Sequence, residues 1–277
     1  MPNGAVASGE LKIRQKLGKY RIERKLGTGG FASVYQAMDT VQGIRVAIKV
    51  PHSQYTTEAV LTEFRKEIRT TAPLEHDNIL PIKDASIIED RLVVVFPLGD
   101  ETLQQRMTRR ISLESAFEIA EQILRATALA HSHHVIHCDI KPENVIVFAG
   151  NRIRLADFGI AKVSQKTVQG GGTGTIGYMA PEQAMGKPSF RSDVFSIGLI
   201  IWRLLSGHWP EWPFAWPPSG YNRLRGRIHP EFIDFMRRAI DLNPRRRYRD
   251  AEQMLAIFLK LKHRTIRHAR SRRRQSA

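Results

Sequence analysis

His137-Cys138-Asp139-Ile140-Lys141-Pro142-Glu143-Asn144 decides how this chain is read. It lies between a helical run ending near His134 and an apolar, strand-like run, Val145-Ile146-Val147-Phe148. A short loop braced on both sides is where a rigid scaffold presents reactive groups. Asp139 offers a carboxylate that can orient or deprotonate a hydroxyl. Lys141 offers an ammonium that can neutralise a phosphoryl group, and Asn144 an amide oxygen suited to a hard cation such as Mg²⁺. A hairpin signal at Ala149-Gly150-Asn151 and the strand-like Arg152-Ile153-Arg154-Leu155 follow. A second acid then arrives in Asp157-Phe158-Gly159. Either motif alone would pass for a solvated turn. The two in this order, joined by a hairpin, are the parts needed to move a phosphoryl group onto an alcohol.

The pattern resembles the catalytic and magnesium-binding loops of the eukaryotic-type (Hanks-type) serine/threonine protein kinase family. Upstream, Tyr20 to Leu26 alternates as a strand, and Val34-Tyr35-Gln36-Ala37 resumes one. Between them Gly27-Thr28-Gly29-Gly30-Phe31-Ala32-Ser33-Val34 is a glycine-rich turn whose backbone N–H groups can approach phosphate oxygens closely. Ala32 stands where the family's third glycine is usual. In Val46-Ala47-Ile48-Lys49-Val50 a single cation sits in an apolar strand, which is costly unless it is paired or faces a ligand. Glu58, Glu63 and Glu67, on a helix predicted over residues 56–71, are its candidate partners.

The resemblance implies a role for each of these residues. Lys49 holds the α- and β-phosphates of ATP, with Glu67 as its ion-pair partner. Leu26, Val34, Ala47 and Ile146 sandwich the adenine, Val95 guards its rear, and Phe96 to Leu98 form the hinge. Pro97 removes one hinge N–H. Asp139 takes or orients the substrate hydroxyl, Lys141 neutralises the γ-phosphoryl group, and Asn144 and Asp157 hold magnesium. Gly174-Thr175-Ile176-Gly177-Tyr178-Met179-Ala180-Pro181-Glu182 matches the end of the kinase activation segment, with Thr175 bonded near Asp139 and Lys141. Glu182 pairs with Arg247, Asp193 holds the catalytic loop's backbone, and Phe158 packs on His137. Cys138 departs from the family, which usually carries arginine there to pair with a phosphate on the activation segment; a thiol cannot do so at neutral pH.

Elsewhere the pattern is helical. Ile111 to His134 carries apolar residues at helical spacing, with Ser112 at its start. Val194 to Leu205, the longest apolar run, is too short for a bilayer and reads as a buried helix. Trp209, Trp212 and Trp216 sit among prolines between His208 and Ser219. Such a stretch either pins a loop by its rings or forms a docking surface. Phe232 to Leu242 and Ala251 to Leu261 read as amphipathic helices.

The 277 residues, 42% apolar and 25% charged, suffice for one large domain or two small lobes. One cysteine excludes an internal disulfide and fits a reducing compartment. No secretory signal or spanning segment is legible, so a soluble, cytoplasmic protein is expected. The net charge is +16, and after Glu252 there is no acid but eight Lys and Arg. The expected layout is a disordered N-terminus at 1–17, a kinase domain at 18–266 and a basic tail at 267–277. The fold class is α+β and bilobal: a small antiparallel sheet lobe with one helix at 18–97, and a mainly helical large lobe at 98–266. The expected cofactors are ATP and Mg²⁺, and the expected partner is a protein bearing Ser or Thr. A nucleic acid, lipid or acidic protein could meet the tail. A kinase-shaped binding module without turnover is the alternative, although Lys49, Asp139, Asn144 and Asp157 are all present.

Overall fold

In a computed structural model the described residues are 10–30, 32–52, 62, 65, 68–69, 71–158, 176–211 and 214–275. The fold is α+β, and these residues form two compact units. One comprises the described residues between 10 and 75 with Leu80–Gly99; the other comprises His76–Ile79 and the described residues from Asp100 onward. The division falls between Gly99 and Asp100 rather than after Pro97.

The first unit is an antiparallel sheet of β1 (Lys16–Leu17), β2 (Tyr20–Thr28), β3 (Ala32–Asp39), β4 (Ile44–Pro51), β5 (Asp84–Ile88) and β6 (Arg91–Pro97). Its strand order is β1-β2-β3-β4-β6-β5. Side chains alternate between its faces. Tyr20, Ile22, Tyr35, Ala37, Val46, Ile48, Val50, Val93 and Val95 pack on one face, together with Leu11 and Leu17. Residues 10–17 are therefore not disordered: Leu11 and Leu17 are buried and β1 pairs with β2. Of the helix predicted over 56–71, the described residues Thr62, Arg65, Ile68, Arg69 and Thr71 are helical.

The second unit holds a small sheet of β7 (Glu101–Thr102), β8 (Val145–Phe148) and β9 (Arg152–Leu155). Seven helices accompany it among the described residues: α1 (Leu103–Arg106), α2 (Leu113–Ser132), α3 (Pro181–Ala184), α4 (Phe190–Ser206), α5 (Tyr221–Leu224), α6 (Pro230–Ala239) and α7 (Ala251–Gln275). Ser112 caps α2, its hydroxyl accepting from the Ser115 N–H. α4 is buried almost throughout, as its apolar run requires. Gly198 lets α6 approach, since a Cβ there would lie 2.9 Å from that of Ala239. Phe117, Phe232 and Phe258 bring α2, α6 and α7 together, with ring centroids 4.8 to 5.8 Å apart.

Two surface stretches resolve open readings. Between His208 and Ser219, Trp209 packs edge-to-face with Tyr178 and Trp216 with Trp202, so rings pin this loop to the unit. Trp212 lies outside the described residues. The expected basic tail from 267 is helical as far as Gln275, as a continuation of α7, with Arg267, Arg270, Arg272 and Arg274 exposed. No Pro or Gly interrupts it, and Arg, Lys, Ala and Gln are good helix formers. Thr265 and Ala269 are buried along it, while Lys262 pairs with Glu121 and Arg270 with Glu114.

Candidate active site

The loop His137–Asn144 is held by its backbone. Asp193, buried at the start of α4, accepts the His137 N–H at Oδ2 (2.7 Å) and the Cys138 N–H at Oδ1 (2.9 Å). His131 Nε2 lies 3.0 Å from the same Oδ2. Its Nδ1 accepts the Ala251 N–H, so Nε2 must carry the proton and donate. Three donors thus converge on one buried carboxylate, which is how such a charge is accommodated. Cys138 itself is buried, with a left-handed φ of 66°. Its carbonyl accepts from Gln183 Nε2.

The side chains of the loop meet one another. Asp139 Oδ2 lies 2.9 Å from Lys141 Nζ and accepts from Asn144 Nδ2 at 2.8 Å. Asn144 Nδ2 also donates to the Asp139 carbonyl. With its nitrogen so engaged, the amide's oxygen is the atom left for a cation. The Ala156 N–H donates to the Asn144 carbonyl at 2.8 Å, which brings the residue before Asp157 alongside Asn144. His137 Nε2 lies 2.9 Å from the Ala156 carbonyl, and its ring packs at a tilt against Phe158. Because Nδ1 accepts the Asp139 N–H, Nε2 is the donor. One imidazole thereby ties the loop carrying Asp139 to the loop carrying Asp157.

Behind the loop, Glu182 and Arg247 form a bidentate pair at 2.8 and 3.1 Å. The other Arg247 N–H groups reach the carbonyls of Asp241, Arg191 and Leu242, and Ser192 donates to Glu182. Burial pulls the Arg247 guanidinium below its usual range, and Glu182 opposes that shift. Tyr178 accepts from Arg203 Nη1 at 2.8 Å. Burial pushes its phenol up to about 12, against the opposing pull of Arg203.

In the first unit, register puts Lys49 opposite Val34 and Ala47 opposite Gln36, on the face turned away from the apolar cluster. Lys49 is itself buried. A Cβ added at Gly27 would meet nothing within 4 Å, so packing does not explain that glycine. The space it leaves is what close approach of a phosphate needs. Gly29 closes the turn by donating to the Ala32 carbonyl. Leu26 lies in a bulge of β2 and is part-exposed. Ser33 is buried, with its hydroxyl 3.1 Å from His52 Nε2.

Val95 requires a correction. It pairs with Ile48 and packs in the apolar cluster, on the face opposite to Lys49. Val94, opposite Lys49, and Phe96, opposite Ala47, occupy the lysine's face. A one-residue slip along a strand exchanges its faces, and three consecutive valines hide the register. Phe31, Glu67 and Thr175 lie outside the described residues.

The protein kinase domain family model matches residues 20–257. The chain belongs to this family. Its kinase domain is 39% identical over 201 residues to the probable serine/threonine-protein kinase PknB of Lactococcus lactis, covering 69% of this chain and 32% of that protein. It is 36% identical over 206 residues to the serine/threonine-protein kinase PknA of Mycobacterium tuberculosis, covering 70% of this chain and 48% of that one. The chain thus spans between about a third and a half of the length of these relatives. Among solved structures, the Mycobacterium tuberculosis PknI kinase domain matches with a TM-score of 0.69 at 22% identity, covering 91% of this chain and 100% of that one. That likeness is one of fold. Sequence reasoning anticipated the Glu182–Arg247 pair and the hold of Asp193 on the loop's backbone. It missed His131, Gln183 and Arg203, whose partners are distant along the chain and which no local pattern marks.

Proposed function

We propose that this kinase domain transfers the γ-phosphoryl group of ATP to serine or threonine hydroxyls of proteins. The observation that carries the reading is the meeting of Asp139, Lys141 and Asn144 within 2.9 Å, on a loop whose backbone a buried carboxylate clamps. It is supported by the relatives' names, both of them serine/threonine-protein kinases. Asp139, whose side chain is 37% exposed, is accessible to a hydroxyl and would orient it and accept its proton. Lys141 would then turn from Asp139 toward the transferring phosphoryl oxygens. Asn144 Oδ1 and the Asp157 carboxylate have the hard oxygen chemistry that Mg²⁺ takes. Lys49 would hold the inner phosphates beneath the glycine turn, Leu26 to Val34, including Thr28, Gly30 and Phe31. Ala47 and Ile146 would pack on the purine, Glu67 would pair with Lys49, and Thr175 would bond near Asp139. When bound, ATP supplies the phosphoryl group and Mg²⁺ neutralises its charge.

Radiolabel transfer to a basic protein, with the modified residues identified by mass spectrometry, tests this. Phosphoserine and phosphothreonine are expected, and Asp157→Ala and Asp139→Asn are expected to abolish them. Wild-type label no greater than that of Asp157→Ala would leave a binding module as the reading. Because position 138 is a cysteine, activity is also proposed not to require a phosphate paired there. Full dephosphorylation should leave turnover intact; a collapse restored by phosphate on Thr167 or Thr173 would defeat the idea.

The α7 surface exposes Lys260, Arg264, Arg267 and Arg274 with no acid on the helix after Glu252, which favours an anionic partner. Deleting residues 263–277 should lower salt-dependent DNA binding if that partner is nucleic acid. We place the protein in the cytoplasm, on the strength of its lone, buried Cys138. No described helix is long and apolar enough to cross a membrane.

A further inference from the structure

We propose that Gln183 is a positioning residue for Asp139; the proposal rests on the kinase activity inferred above. The peptide unit joining Cys138 to Asp139 is held at both polar ends. Its carbonyl accepts from Gln183 Nε2 at 2.5 Å, and its N–H donates to His137 Nδ1 at 3.2 Å. The preceding peptide's N–H, that of Cys138, is held by Asp193 Oδ1. Cys138 sits between them at a φ of 66°, a conformation an L-residue adopts only when its surroundings over-determine it. Turning this peptide is the motion that would swing the Asp139 carboxylate. The Gln183 side chain grips its carbonyl, and it reaches there from 45 residues away.

The bond is dry, since Gln183 and Cys138 are both buried. Its polarity is fixed, because a carbonyl only accepts and the amide must present its nitrogen. Gln183 is itself held at its base: its N–H donates to the Ala180 carbonyl, and the adjacent Glu182 is locked to Arg247. A rigid path therefore runs from Arg247 through α3 to the backbone of the reacting loop. It needs no charge on the segment before α3.

The test compares wild type with Gln183→Leu, which keeps bulk but loses the donor, and Gln183→Glu. Loss of the donor is expected to lower kcat by about ten- to a hundred-fold, with KM for ATP unchanged. In Gln183→Glu the side chain donates only when protonated, so kcat relative to wild type should rise as pH falls. Hydrogen exchange at the Cys138 and Asp139 amides should quicken in Gln183→Leu relative to amides elsewhere in the second unit. A kcat within two-fold of wild type in Gln183→Leu, an equal loss in KM, or a Gln183→Glu profile parallel to wild type would each overturn the proposal. Should the wild-type protein transfer no phosphate, the functional reading fails by itself. The exchange rates then decide: unchanged protection at residues 138 and 139 refutes the role of Gln183, and selective loss upholds it.

Discussion

The region behind the loop His137–Asn144 and the C-terminal helix α7 use the same ion-pair chemistry to different ends. Arg247 meets Glu182 at 2.8 Å, and Arg264 meets Glu231 at 2.8 Å. The distances match, but the surroundings do not. Arg247's side chain is fully buried and each of its N–H groups has an acceptor, whereas Arg264 and Glu231 are about half exposed. In water the interaction is screened and the free side chains keep their entropy. In the interior, removing one partner strands the other's charge. Geometry alone does not rank the two; burial does.

The contrast is most exposed to failure at Glu182. Glu182→Ala should lower unfolding free energy by about 3–5 kcal/mol in a denaturant titration, since Arg247 would be left buried and uncompensated. A loss below about 1 kcal/mol would erase the distinction between the regions. The next effect is alkaline. Tyr178 and Tyr248 are buried, with phenols pushed up to about 12. A raised folded-state value means the folded protein keeps its proton longer than the unfolded chain. Stability is therefore full below about pH 10 and is lost between pH 10 and 12, by roughly 2–3 kcal/mol per tyrosine. Tyr248→Phe, which removes one such group, should flatten that loss in unfolding curves taken across the range. Asp193→Asn keeps shape but offers one acceptor oxygen where two now serve His137 and Cys138. It should cost about 1–3 kcal/mol and slow phosphoryl transfer; unchanged stability and turnover would show that the clamp is dispensable. The smallest effect belongs to α7. Arg270→Ala, which breaks the exposed pair with Glu114, should change stability by about 0–1 kcal/mol. A larger loss would mean that the end of α7 braces the unit more firmly than its exposure suggests.

What could be read in advance follows from how local each signal is. Asp139, Lys141 and Asn144 lie within one loop, so their spacing shows their chemistry. The burial of α4 is legible because its apolar residues run on nearly all sides. Val95 was misplaced because in Val93-Val94-Val95 every residue is an equally good strand former, and only pairing with β4 sorts the faces. The extent of α7 was hidden for a related reason. Charge suggests solvation, whereas docking of Thr265 and Ala269 and pairing with acids on α2 and α6 keep the chain helical.

Sequence by itself determined the family, the order of the elements and the types of groups brought to the reaction, because glycine turns, apolar periods and acid–amide spacing are local properties of a chain. Tertiary structure alone decided which face of β6 each valine takes, that Asp193 and Gln183 grip the backbone on either side of Cys138, and that Arg247 has its acceptors in the interior. The reason is physical: a hydrogen bond or charge pair draws its value from the water excluded around it, and exclusion is produced by residues far apart in the chain.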